Sequence, residues 1–134
     1  MIKLNDVYIH EFSFSQEEVS RFAEVTGDRN PVHLDAAYAA KTMFKRPIMH
    51  GMLGASLFSK VFGTLFPGEG TIYLKQSLSF LKPMYADVQY EAVFTIKELF
   101  TGKNRATVET QIRDKDGKVC TTGEATVMNV EKIK

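Results

Sequence analysis

The chain has 134 residues, 44% hydrophobic and 25% charged, an ordinary composition for a folded domain that excludes wholesale disorder. Seventeen Lys+Arg against sixteen Asp+Glu leave a formal charge of +1, which excludes a dedicated nucleic-acid binder but leaves room for a small basic patch against a phosphate-bearing ligand. No apolar run approaches the roughly 20 residues that cross a bilayer, the start Met1-Ile2-Lys3-Leu4 lacks a signal-peptide core, and the single Cys120 cannot close an internal disulfide, so one cytosolic domain spanning 1–134 is expected, with no membrane partner.

Val7 to Phe14 alternates weakly, as a first strand would. Ser15-Gln16-Glu17-Glu18 then has the capping-box pattern, with Phe14 and Val19 at the staple positions. Val19, Phe22, Ala23 and Thr26 fall on one helical face, and Gly27 is placed to end that helix in the left-handed conformation. Asp28-Arg29-Asn30-Pro31-Val32-His33 reads as a loop, because Pro31 has no N–H and pushes Asn30 out of the helical region.

A short helix is expected from Asp35 to about Lys41, and a longer one from about His50 to Phe62, apolar around much of its circumference and therefore suited to burial. Gly63 is the expected left-handed cap of the long helix, and Thr64 to Gly70 the exit turn. From Thr71 the period changes to two. Ile72, Leu74, Leu78 and Phe80 share one face of a strand that Lys82-Pro83 ends. Val88, Tyr90, Ala92, Phe94 and Ile96 form a second apolar row, Val108 and Ile112 belong to a third strand, and Asp116-Gly117 turns into a last strand from Lys118 to about Val130. One-sided alternation in consecutive strands predicts an α+β fold, an antiparallel sheet curved around the buried helix.

Two segments have the residue types for chemistry. Asp28 and His33 stand five residues apart in a Pro-constrained loop that can aim both at one volume, and a carboxylate with an imidazole can move protons near neutral pH. Asp28 and Asn30 serve equally well as ordinary turn formers and His33 as a satisfied histidine, so spacing leaves the choice open. At Pro47-Ile48-Met49-His50-Gly51-Met52, a loop enters the buried helix, whose free N–H groups suit a developing oxyanion; tight packing at Gly51 and Gly54 is the alternative. No Cys/His cluster has zinc spacing, so no metal is expected.

Together, Val25-Thr26-Gly27-Asp28-Arg29-Asn30-Pro31-Val32-His33, Met49-His50-Gly51-Met52-Leu53 and Ser77-Leu78-Ser79-Phe80-Leu81-Lys82-Pro83-Met84 resemble the MaoC-like (R)-specific enoyl-CoA hydratases, in the right order from Phe12 to Val130. The resemblance implies a hot-dog fold, a five-stranded antiparallel sheet wrapped around a long central helix, paired as a homodimer. It implies a hydro-lyase that adds water reversibly to a trans-2-enoyl thioester to give the (R)-3-hydroxyacyl thioester, as in fatty-acid metabolism. Carried over, Asp28 holds and deprotonates the water that attacks C3, His33 orients that water and delivers a proton to C2, and the Gly51 N–H holds the thioester oxygen. Asn30 and Ser59 are expected at the substrate, Ser59 on the same face as Gly51. Coenzyme A enters as part of the substrate, with no further cofactor, and acyl carrier protein is the alternative carrier.

The acyl tail needs an apolar slot, for which Leu53 and Phe62 are candidates, though both suit the core equally. Lys41, Lys45, Arg46, Lys75 and Lys82 are available for phosphates, and Cys120 reads as a small packed residue. The competing readings are a dehydratase acting on 3-hydroxyacyl thioesters, including those on acyl carrier protein, and a non-catalytic acyl-thioester-binding protein on the same scaffold. The Asp28/His33 couple argues against the second, since a binding module needs no acid–base pair.

Overall fold

Ser15 closes the capping box that the sequence predicts: its hydroxyl accepts from the Glu18 N–H at 3.1 Å, while the Glu18 carboxylate accepts from the Ser15 N–H at 2.9 Å. The box separates strand β1 (Val7–Phe12) from helix α1 (Gln16–Thr26), and Gly27, at φ 81°, ends α1 in the left-handed conformation. Val19 and Ala23 bury the inner face of α1. The computed structural model describes all residues, Met1–Lys134.

The expected loop from Asp28 to His33 is shorter than predicted. Pro31–Leu34 forms one helical turn, α2, because proline is tolerated at the first position of a helix, and Asn30 caps it by accepting from the Val32 N–H. Asp35 likewise caps α3 (Ala36–Ala40). The long helix α4 covers Gly51–Thr64. It does not end at Gly63 in a left-handed cap; Gly63 lies within the helix, and the chain leaves through Leu65 at φ −125°, whose N–H still reaches the Val61 carbonyl.

Strands β2 (Ile72–Gln76), β3 (Ser79–Phe80), β4 (Tyr90–Phe100), β5 (Arg105–Arg113) and β6 (Val119–Met128) follow. All pairings are antiparallel in the order β1-β4-β5-β6-β2, with the two-residue β3 also on β6, so the five-stranded sheet carries a short sixth element. The predicted single strand through Phe80 is interrupted. Its register shifts between Tyr73 and Lys75, and Ser77 then crosses so close to Gly123 that any Cβ there would collide with the Ser77 carbonyl. As a result Ile72, Leu74 and Phe80 face outward, and Tyr73 turns in against Phe62 at 5.1 Å between ring centroids.

The sheet wraps around α4. Leu53, Leu57, Phe58, Val61 and Phe62 pack against Ala92, Phe94, Ile96, Val108, Ile112 and Val127 in one continuous core. Phe58 and Phe62 meet the Phe94 ring edge-on, and each buried phenylalanine contributes about 2 kcal/mol of burial free energy. Cys120 is buried in this core, where burial pushes its thiol above the ordinary value. The entry to α4 is pinned on two sides: the Ile48 N–H donates to the Val32 carbonyl at 3.1 Å and the Met49 N–H to the Met84 carbonyl at 2.7 Å. The N-terminal end of the central helix is thereby fixed beside the turn that follows α1. No helix is long and apolar enough to cross a membrane.

Candidate active site

The turn after α1 and the mouth of α4 meet in a cleft of about 460 Å³, lined among others by Asp28, His33, His50, Gly51, Phe80 and Thr121. A carboxylate oxygen of Asp28 and a ring nitrogen each of His33 and His50 lie within 4.8 Å of one another. Asp28 is exposed, and one of its oxygens accepts from the Asn30 N–H at 3.4 Å, which orients the carboxylate within its own turn. Asn30 itself is exposed and caps α2, and it does not line the cleft.

His33 is half-buried, and its Nδ1 lies 2.7 Å from the Ile48 carbonyl. A carbonyl only accepts, so Nδ1 carries the proton and the neutral ring has its lone pair on Nε2. Burial pushes this imidazole below its ordinary value of 6.5, and the neighbouring His50 adds to the effect; the Ile48 hydrogen bond and the Asp28 charge oppose it. His33 is therefore biased toward a neutral base. A neutral His33 protonated at Nδ1 has no proton on Nε2 to give until that nitrogen has accepted one.

His50 is 2% exposed and occupies the cap position of α4 without capping it through its side chain. Its ring stacks on His33, with centroids 3.9 Å apart and planes inclined by 27°. A metal ion lies in the plane of each imidazole that binds it, and two near-parallel stacked rings do not direct their lone pairs at one ion, so the cluster does not fit a shared metal.

The Gly51 N–H meets no acceptor in the chain, as the first residue of a helix that no side chain caps. It opens on the cleft at the positive end of the α4 dipole, where negative charge on a ligand oxygen is stabilised. The buried side-chain polar atoms without a partner are His50 Nδ1 and Thr121 Oγ1, and both residues line this cleft.

Ser59 is not brought here. Eight residues along a helix advance it about 80° past Gly51, and it lines a second cavity of about 520 Å³ with Phe22, Met52, Tyr73 and Leu78. Met52 borders both spaces. Leu53 and Phe62 are buried in the core and line neither. Of the basic candidates, Lys82 stands on the cleft wall and reaches Asp114 at 2.9 Å, Lys75 lines the second cavity, and Arg46 lies over the Tyr85 ring at 4.1 Å. Phe80, Thr121 and the side chain of His50 had no local signal in the sequence. They reach the cleft through strand pairing and the entry of α4, which no short motif spells out.

The family model described as MaoC like domain matches residues 5–118. The chain is 47% identical over 114 residues to the (R)-specific enoyl-CoA hydratase of Aeromonas caviae, covering 85% of each. It is 36% identical over 119 residues to the 3-hydroxybutyryl-CoA dehydratase of Methylorubrum extorquens, covering 89% of this chain and 71% of that one. Among solved structures, the (R)-hydratase from A. caviae involved in PHA biosynthesis superposes with a TM-score of 0.92 at 42% identity, over 96% of this chain and 97% of that one.

Proposed function

The chain belongs to the MaoC-like family, and from that premise we propose that it is an (R)-specific enoyl-CoA hydratase, a hydro-lyase that adds water reversibly across the double bond of trans-2-enoyl-CoA to give (R)-3-hydroxyacyl-CoA. The observation that carries this reading is the convergence of Asp28, His33 and the free Gly51 N–H on one cleft. A water between the carboxylate and His33 Nε2 loses its proton to Nε2 as its oxygen bonds to C3. The double bond's electrons move onto the thioester oxygen, which the Gly51 N–H receives, and one such donor supplies about 3 kcal/mol to the transition state. The Asp28 charge steadies the imidazolium, whose Nε2–H then returns the proton to C2, so that the elements of one water are added and the enzyme is restored. No step needs a cofactor beyond the coenzyme A that the substrate brings.

The second cavity, with Ser59 on its wall and Phe62 behind Tyr73, is our candidate for the acyl tail. A homodimer is part of the proposal. Strand β2 ends the sheet with an open edge, and Met52, Ile72, Leu74, Phe80 and Leu81 are exposed beside it. An unpaired apolar edge of this kind is a pairing surface. Light scattering should then give twice the 15.1 kDa chain mass. We place the reaction in the cytoplasm and in fatty-acid metabolism, where coenzyme A thioesters are made and used.

The test is the ultraviolet absorbance of the conjugated thioester, which hydration removes. Purified protein should bleach enoyl-CoA of some chain length and yield the (R) product on chiral analysis. An unchanged spectrum across a graded series of lengths rejects the reading. The similarity to a 3-hydroxybutyryl-CoA dehydratase favours running the same assay from 3-hydroxyacyl thioesters, on coenzyme A and on acyl carrier protein.

A further inference from the structure

We infer that His50 is a positioning residue for the Asp28–His33 couple: it ties the Asp28 main chain to the mouth of α4 and sets the plane in which the His33 ring lies. The inference rests on the functional reading above and extends it to a side chain that touches no reacting atom in that mechanism.

The His50 Nε2 lies 3.0 Å from the main-chain carbonyl of Asp28, twenty-two residues earlier. Since a carbonyl only accepts, Nε2 carries the proton and, in the neutral ring, Nδ1 is left with a bare lone pair. That Nδ1 is buried and has no partner, an arrangement that costs stability and that packing alone does not require. The tether holds the one residue whose carboxylate must face the water, in a turn otherwise secured by short-range bonds, the Asp28 N–H donating to the Thr26 hydroxyl and the Asn30 N–H to the Asp28 carboxylate.

The His50 ring is held between aromatic neighbours from two elements. Phe22 of α1 meets it edge-on at 4.9 Å, and His33 stacks on it at 3.9 Å. His33 lines the cleft and is held at Nδ1 by Ile48, one bond about which the ring can still swing; the stack on His50 removes that freedom. The titratable groups that face His33 are Asp28 from the turn after α1 and His50 from the mouth of α4, with Lys82 across the cleft paired to Asp114. One ring thus places the carboxylate and orients the base.

Two substitutions separate these functions. His50→Gln keeps an N–H donor that reaches the Asp28 carbonyl and loses the stacked ring; His50→Phe keeps an aromatic face and loses the tether. We expect each variant to lower kcat by about 10²-fold with KM little changed, as for a misplaced catalytic group, His50→Phe because the Asp28 turn is released and His50→Gln because the His33 ring is. Wild-type kcat in either folded variant overturns the inference.

If neither variant folds, the ¹⁵N shifts of the wild-type full chain decide. They should report protons on His50 Nε2 and His33 Nδ1, and the opposite tautomer at either ring overturns the inference. The NMR measurements need no turnover, so a wild type that leaves enoyl thioesters untouched rejects the functional reading without obscuring this one.

Discussion

Gly51 and Phe80 stand so close that a Cβ on residue 51 would lie 2.7 Å from both the Cδ1 and Cε1 atoms of the ring. The mouth of α4 is therefore roofed by an aromatic side chain, and the ring can lie this close only because the helix begins with a glycine. The roof is movable, since Phe80 is half exposed and belongs to a two-residue strand.

Gly51→Ala should fold, because the ring can swing aside, but the methyl group then occupies the approach to the N–H. We expect kcat to fall by about 10²-fold. Combining it with Phe80→Ala should relieve the packing strain without restoring kcat. Thermal melting and steady-state hydration of the single and double variants check this, and recovery of kcat in the double variant would assign the loss to the displaced ring.

Asp28→Asn and His33→Gln each remove one member of the couple while keeping size. Each should lower kcat by about 10²–10⁴-fold, His33→Gln by removing the base and Asp28→Asn by removing the charge that steadies the imidazolium. Neither should change melting much, because Asp28 is exposed and His33 half-buried. Absorbance decay of an enoyl-CoA measured beside circular dichroism tests both halves of the expectation.

The lowered His33 value gives a pH dependence with a definite sign. Burial holds its folded value below 6.5, so kcat/KM should be level near neutral pH and fall on the acid side as the ring takes up a proton and ceases to be a base. Stability follows the same direction. Below 6.5 the unfolded chain binds the proton first, so this contribution is intact above that pH, declines as pH drops, and is fully lost once pH passes under the folded midpoint. His10, lowered by burial and by Lys60, acts in the same sense. Denaturant unfolding at a series of pH values, repeated in His33→Gln, isolates the His33 share.

Thr121→Val tests the orphaned hydroxyl on the cleft wall. Replacing a buried, unpartnered polar atom with an isosteric methyl should raise stability by about 1 kcal/mol. If the hydroxyl serves a bound substrate, the same change lowers kcat/KM. A gain in melting temperature with unchanged kinetics would make Thr121 a packing residue only.

The sequence by itself determined the elements whose causes are local. The Ser15–Glu18 box, Gly27 as a left-handed stop, the alternation of Tyr90 to Ile96 and the Asp116-Gly117 turn each depend on residues within one turn or one strand. It also marked Asp28, His33 and Gly51, because a proline-stiffened turn and a glycine at a helix mouth carry their chemistry in adjacent positions. It failed where the cause was distant. Ser77 crosses Gly123 and breaks the row of Ile72, Leu74 and Phe80, which no alternation within that segment can reveal. Gly63 had the composition of a cap, yet the Leu65–Val61 hydrogen bond carries α4 past it. Helical rotation sent Ser59 to a second cavity and packing drew Leu53 and Phe62 into the core. The tautomer of His33, its stack on His50 and the closure of the cleft by Phe80 and Thr121 were decided only by tertiary structure, because hydrogen bonds and burial depend on which distant residues the fold brings within a few ångströms.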